Sequence, residues 1–327
     1  MSVAVVDISQ ADSNKAAQEL VDACSTLGFV FIEGSEFTQA DIDQAFDLSK
    51  EYFKLPVEEK AEVPITPENH GYSRINLEVL DPENQPKGDP KEAFNFGQFL
   101  HGRPQHELPK FFESKLPELT YLESKCHALC VTLLKLLAKG LKIEADKGGD
   151  NWFADRHRPN EKSGCIFRFL YYHAQNSASP EEQIRAGAHT DYGSLTLLFQ
   201  KEGEDGLEVL SPVTKEWTRV KFVPSSKPGA APPIIVNVAD LLSFWTAGIL
   251  KSSIHRVRFL PEAQKAGRDR YSIVYFCHPE NDALLEPVPS PIVAQIEARG
   301  ANRSDRETIT AKQHLDKRLA ATYGWKK

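Results

Sequence analysis

Ala186-Gly-Ala-His-Thr-Asp-Tyr-Gly-Ser-Leu-Thr-Leu-Leu-Phe-Gln200 decides how this chain is read. Its second half, Ser194–Gln200, is a strand-length apolar run, and just before it stand His189, Thr190 and Asp191. Residues two apart in a strand point to the same face, so His189 and Asp191 are expected to present an imidazole and a carboxylate side by side. Far downstream come His255 and then Arg270-Tyr271-Ser272. The separation of His255 from Asp191 suits a distant strand of the same barrel.

Working outward, short strands separated by Gly, Pro and Asp turns are expected from Cys165 onward. They are Cys165–Tyr172, Ser194–Gln200, Leu207–Leu210, Trp217–Val220, Ile234–Val238, Ser253–Phe259, Tyr271–His278 and Leu284–Val288. Such a series predicts a sandwich or jelly roll. Ser225–Pro233 reads as a flexible connector between two of the strands. The first third alternates: strand Val3–Ile8, helix Asn14–Thr26, strand Phe29–Ile32, and helix Thr38–Phe53 starting at a Thr cap. Pro56–Pro90 has no sustained period and reads as a long, functional loop.

Tyr121–Leu141 is the clearest helix, with Leu122, Cys126, Leu129, Cys130 and Leu133 on one face. The tail Arg306–Tyr323 returns to helix, with Leu315, Leu319 and Ala320 together. We therefore expect one domain over 1–327, mainly β with flanking helices around a double-stranded β-helix (jelly-roll) core. In that division residues 1–120 form an α/β region covering the core, 165–290 the core itself, and 291–327 a helical tail.

Composition limits the function. The 327 residues carry a net charge of −7, with 41% hydrophobic and 26% charged residues, as in an ordinary soluble domain. That acidic balance offers no support for nucleic-acid or anionic-membrane binding. No apolar run approaches the ~20 residues that cross a bilayer, and the N-terminus has no basic leader. Five scattered cysteines without a C-x-x-C pair argue against a disulfide framework or zinc ribbon and for a reduced, cytoplasmic compartment. Cys126 and Cys130, one helical turn apart, are expected to fill a core stripe. Nothing in the sequence sets the oligomeric state.

Two imidazoles and one carboxylate on one face of a metal leave three octahedral positions open for a chelating co-substrate and O2, as in non-haem Fe(II) oxygenases. Zinc hydrolases also use two His and a carboxylate, so the triad alone leaves both chemistries open. A planar guanidinium such as Arg270 suits a carboxylate through paired hydrogen bonds, and Ser272, two residues on, adds a hydroxyl on the same face.

The flanking residues carry a resemblance. Ala188–Leu198, Asp240–Val257 and Arg270-Tyr-Ser272 resemble the proximal ligand segment, the distal ligand segment and the R-x-S element of iron- and 2-oxoglutarate-dependent oxygenases of the isopenicillin N synthase-like superfamily. Gly28–Ile32 and His70–Ser73 resemble that family's N-terminal region, although Glu33-Gly-Ser-Glu36 replaces its usual Asn-His-Gly-Ile. The likeness is strongest to fungal members, including the thymine 7-hydroxylase type.

The resemblance implies His189, Asp191 and His255 as Fe(II) ligands, Arg270, Ser272 and Tyr172 as 2-oxoglutarate contacts, O2 as the second co-substrate and ascorbate as a reductant. It implies oxidation of a C–H bond in a small-molecule substrate, by hydroxylation, desaturation or rearrangement, in fungal secondary metabolism. Arg168, Tyr192 and Phe276 are the implied substrate-pocket residues, with an internal salt bridge the alternative for Arg168. His70, Tyr72 and Arg74 are expected to close over the pocket. The family's Asn-Tyr-Tyr-Pro or Leu-His-Tyr-Pro stretch is Leu170-Tyr-Tyr-His173 here, and His173 is expected to be structural. The alternatives are a pyrimidine methyl hydroxylase, an iron oxidase that does not use 2-oxoglutarate, and a metal-free jelly-roll binding module.

Overall fold

In the computed structural model, residues 2–174, 184–259, 267–299 and 308–323 are described. Their strands are β1 (Ala4–Asp7), β2 (Phe29–Glu33), β3 (Gly71–Ser73), β4 (Lys91–Phe96), β5 (Phe99–Leu100), β6 (Arg103–Pro104) and β7 (Ile166–Tyr172). They continue as β8 (Ile184–His189), β9 (Leu195–Phe199), β10 (Leu207–Leu210), β11 (Trp217–Arg219), β12 (Ile234–Val238), β13 (His255–Arg258) and β14 (Arg270–Cys277). An eight-stranded sheet in the order β1-β2-β12-β9-β14-β7-β4-β3 faces a four-stranded sheet, β11-β10-β13-β8. The architecture is mainly β with flanking helices and a jelly-roll core whose sheets do not close on one another.

Burial explains why the large-sheet strands read as apolar runs. Every residue of β2, β4 and β12 is buried, because one face meets helices and the other meets the small sheet. The helical side holds the main core, where Phe94, Phe96, Phe112, Phe167 and Phe169 interlock through tilted and edge-to-face ring contacts. Between the sheets lie smaller clusters, one built on Ala93, Leu170, Tyr172, Ala186, Val257, Phe259 and Val274.

The N-terminal elements follow local rules. Parallel β1 and β2 are joined by helix Ser13–Thr26, which Asp12 caps by accepting from the Asn14 and Lys15 amides. Helix Gln39–Phe53 starts at Thr38 with a reciprocal capping box to Asp41. Asp41 also pairs with Lys125 at 2.7 Å, fastening this helix to helix Leu116–Gly140. Gly28 is required: at its φ of +76° an added Cβ would meet the Lys251 carbonyl oxygen at 1.9 Å. Among the described residues, no helix is long and apolar enough to cross a membrane.

Several expectations are corrected. Leu284–Val288 is not a strand but a single bridge from Leu284 to Thr310. Pro287 and Pro289 remove the donors a ladder needs. The long helix begins at Leu116, not Tyr121, since Pro117 fits the first turn, where its missing N–H costs nothing. Pro56–Pro90 is not all loop: it contains the one-turn helix Val57–Lys60 and β3, which pairs with β4. Ser225–Pro233 is anchored at its start, where Ser226 donates to Glu33 from both its amide and its hydroxyl. The tail helix runs from Ala311 to Tyr323, and Arg306 lies outside the described residues.

Candidate active site

The small sheet supplies the two imidazoles. His189 is the last residue of β8 and His255 the first of β13, and the antiparallel register sets them directly opposite each other. Their ring centroids are 4.4 Å apart. His255 therefore sits on the strand next to β8, closer than the distant position expected from its separation in sequence. Asp191 corrects a second expectation, for β8 ends at His189 and the carboxylate is not on the strand. It is turned inward beyond the strand end. There Thr196 of β9 donates to its Oδ2 at 2.7 Å and Asn237 of β12 at 2.8 Å.

That leaves Asp191 Oδ1 facing His189 Nε2 at 3.7 Å and His255 Nε2 at 3.6 Å. One ligand-type atom from each of the three residues lies within 4.8 Å of the others. His189 Nδ1 contacts the Gly187 carbonyl at 2.7 Å and His255 Nδ1 contacts the Ser253 carbonyl at 3.1 Å. A carbonyl only accepts, so each Nδ1 is the protonated nitrogen and each Nε2 keeps its lone pair. Burial, with His255 beside it, pushes the His189 imidazole down to about 3, which keeps the ring neutral. Burial works against charge on Asp191, but His255, His189, Asn237 and Thr196 together hold its carboxyl below the usual range.

The triad opens into a cavity of about 480 Å³ between the sheets. Alternate residues of β7 and β14 line one wall: Arg168, Leu170 and Tyr172 beside Arg270, Ser272, Val274 and Phe276. Arg270 is 2% exposed, donates from Nε to the Glu204 carbonyl at 2.8 Å, and lies 4.9 Å from the centre of the Tyr172 ring. Its Nη1 and Nη2, and the Ser272 hydroxyl, are buried without a hydrogen-bond partner among the described residues. Buried polar groups are ordinarily satisfied. A guanidinium edge and a hydroxyl on one strand face, open to the same cavity as the triad, fit a carboxylate of a metal-chelating co-substrate.

Of the pocket residues implied for substrate, Phe276 is half-buried in the wall, and Tyr192 lines the cavity with the Arg318 guanidinium 4.8 Å from its ring. Arg168 also lines it but donates to Glu78 at 2.6 Å, the internal salt bridge held open as its alternative. Glu78 continues to Lys91 at 2.9 Å and Lys91 to Asp89 at 2.7 Å. Asp89 accepts from the Gly187 amide at 2.9 Å. His173 bonds to Glu92 at 2.6 Å, a carboxylate that also takes Lys60 and the Tyr72 hydroxyl. Tyr72 is thereby committed to packing and Arg74 is exposed, so of the three expected lid residues only His70 lines the cavity.

Sequence reading missed Thr196, Asn237, Glu78, Asp89 and Lys91. The first two had a signal, since each is a polar residue inside an otherwise apolar strand. Glu78, Asp89 and Lys91 had none, because their surroundings are polar in sequence and buried only in the fold.

A jelly roll that brings two imidazoles and a carboxylate beside a buried arginine and serine defines a non-haem metal oxygenase class of protein. Family models match on both sides of the long helix: a non-haem dioxygenase N-terminal model over residues 3–118 and the 2OG-Fe(II) oxygenase superfamily over 163–279. A 2-oxoglutarate-dependent dioxygenase of Didymella fabae is 31% identical, over 96% of this chain and 93% of that one. Clavatol oxidase of Penicillium crustosum is 30% identical, over 94% and 92%. A full-length Neurospora crassa protein, whose crystal structure holds alpha-KG and thymine, is 30% identical, over 98% and 96%, with a TM-score of 0.77. The chain belongs to the 2OG-Fe(II) oxygenase superfamily and is a 2-oxoglutarate-dependent dioxygenase of the fungal type, using Fe(II), 2-oxoglutarate and O2. That membership sets aside the metal-free binding module, and the relatives named as 2-oxoglutarate-dependent speak against an oxidase without 2-oxoglutarate.

Asn237→Ala removes one of the two donors that aim Asp191, and losing such a support weakens metal affinity by about 10–100-fold. Anaerobic titration with Fe(II) should show that loss with the fold intact by circular dichroism. Unchanged affinity would make Asn237 a packing residue only.

Proposed function

We propose that His189, Asp191 and His255 hold the iron, and that Arg270 with Ser272 receives the distal carboxylate of 2-oxoglutarate over the face of Tyr172. The observation that supports this most is the shared cavity, in which the triad and the unpartnered edge of Arg270 open to the same space. When bound, the iron with 2-oxoglutarate and O2 supplies oxidation of a substrate C–H bond, with the co-substrate leaving as succinate and CO2.

The chain's residues bind and orient. Thr196 and Asn237 occupy Asp191 Oδ2 and leave Oδ1 for the metal. The Gly187 and Ser253 carbonyls fix both rings with Nε2 inward. Leu170, Val274 and Phe276 exclude water from the wall beside the reacting centre, which protects the oxidising chemistry from side reactions.

For the substrate we favour a small, largely apolar molecule of fungal secondary metabolism, such as an aromatic polyketide. Arg168 is already charge-matched by Glu78, and its neighbours Leu170, Val274 and Phe276 are apolar. A free pyrimidine is the second reading, supported by the thymine bound in the Neurospora crassa structure.

Asp191→Ala is expected to abolish 2-oxoglutarate-dependent succinate formation; wild-type succinate production would remove the ligand assignment. Arg270→Ala should raise the 2-oxoglutarate concentration needed for half-maximal turnover about ten- to a hundredfold, as loss of a charged hydrogen bond costs roughly 1.5–3 kcal/mol. An unchanged requirement would make Arg270 structural. In a 2-oxoglutarate consumption screen, aromatic acids and aldehydes should stimulate turnover more than nucleobases, and the reverse order would favour the pyrimidine reading.

A further inference from the structure

A second group of metal-ligating side chains converges on the face of β14 turned away from the triad. His127 comes from helix Leu116–Gly140, Cys165 precedes β7, and Cys277 ends β14. One ring nitrogen and two sulfurs from these residues lie within 4.8 Å of one another. Cys165 is 3% exposed and Cys277 is fully buried. A separate cavity of about 560 Å³ runs from His101, Ser124 and Lys135, all exposed, to His127, Cys165 and Tyr275. The cluster is therefore enclosed yet has an entry path.

We propose that His127, Cys165 and Cys277 form a second metal site, selective for a thiophilic d10 ion of the zinc class and distinct from the iron triad. Ligand chemistry gives the selectivity. Two thiolates and an imidazole are a zinc donor set that leaves a fourth position open, here towards the cavity, whereas the triad has no sulfur.

The imidazole is already oriented. His127 Nε2 donates to the His157 carbonyl at 2.9 Å, so Nδ1 is the nitrogen that carries the lone pair. The Tyr275 hydroxyl, 3.1 Å from that Nδ1, donates to it and holds the ring until a metal takes the lone pair, and the hydroxyl then turns to Glu123 Oε1 at 3.2 Å. Charge also balances. Binding a divalent ion releases the two thiol protons to solvent, and the resulting thiolates cancel the ion's charge. A neutral assembly is the form in which an ion can sit in an apolar core.

The test is an anaerobic titration of the reduced, iron-free full chain with Cd2+. A thiolate-to-metal charge-transfer band should grow to one ion per chain, persist in His189→Ala, and disappear in Cys165→Ser and Cys277→Ser. X-ray absorption of zinc-loaded wild-type chain needs no variant and should show two sulfur ligands at about 2.3 Å. A wild-type chain with no thiolate band and only nitrogen and oxygen scatterers would overturn the site and leave the thiols as core packing. A Cys165–Cys277 disulfide persisting under the same reducing conditions would overturn it as well.

Discussion

The pairing of His189 with His255 across β8 and β13 is the constraint on which the site depends. Directly opposed residues of an antiparallel ladder keep their Cβ atoms about 4.5–5.5 Å apart, so the register alone sets the spacing of the two imidazoles. A one-residue slip would turn one ring out of the cavity. The carboxylate cannot be set in this way, because Asp191 lies past the end of β8. Thr196 and Asn237, on the opposing sheet, aim it instead. Two members of the triad thus come from the small sheet, and the large sheet clamps the third, so the triad's geometry depends on the spacing between the sheets.

A chain of buried charges carries that constraint to the N-terminal region. Arg168, Glu78, Lys91 and Asp89 alternate in sign, and Asp89 ends on the amide of Gly187, whose carbonyl orients His189. Two acids and two bases balance, so the chain can lie in the core. Removing one member would strand a buried charge at a cost of about 3–5 kcal/mol. The segment that reads as a loop in sequence is therefore part of the support of β8. The same pairing matches the charge of Arg168 inside the protein, beside the apolar Leu170, Val274 and Phe276.

Much of this was legible in sequence where pattern and chemistry coincide. β7, β9, β12 and β14 are mainly apolar runs, and the Thr38 cap announces its helix. The triad and Arg270 were legible through residue type and order. β8 was not, because Ile184-Arg-Ala-Gly-Ala-His has few strand-favouring side chains and is held by its partner β13. β4 was hidden as well, since Lys91 and Glu92 open it with charges whose partners, Glu78, Asp89, Lys60 and His173, come from elsewhere in the chain. Asp191 was placed on the wrong kind of element for the right chemical reason. Periodicity gives faces, and the carboxylate is set by hydrogen bonds that periodicity does not encode.

β14 shows how much one strand can carry. Its alternation of period two sends Arg270, Ser272, Val274 and Phe276 into the cavity beside the triad, and Tyr271, Ile273, Tyr275 and Cys277 into the helical layer. The backbone that fixes Arg270 is thus packed from behind by Cys277, which belongs to the thiol–imidazole cluster, and by Tyr275, which contacts its imidazole. An ion bound there would tie helix Leu116–Gly140 through His127 to the end of β14 through Cys277 and to the start of β7 through Cys165. Those are the two strands whose opposite faces supply Arg270, Ser272 and Tyr172. The second site would therefore brace the wall proposed to position 2-oxoglutarate, without placing any of its three side chains in the cavity beside the triad.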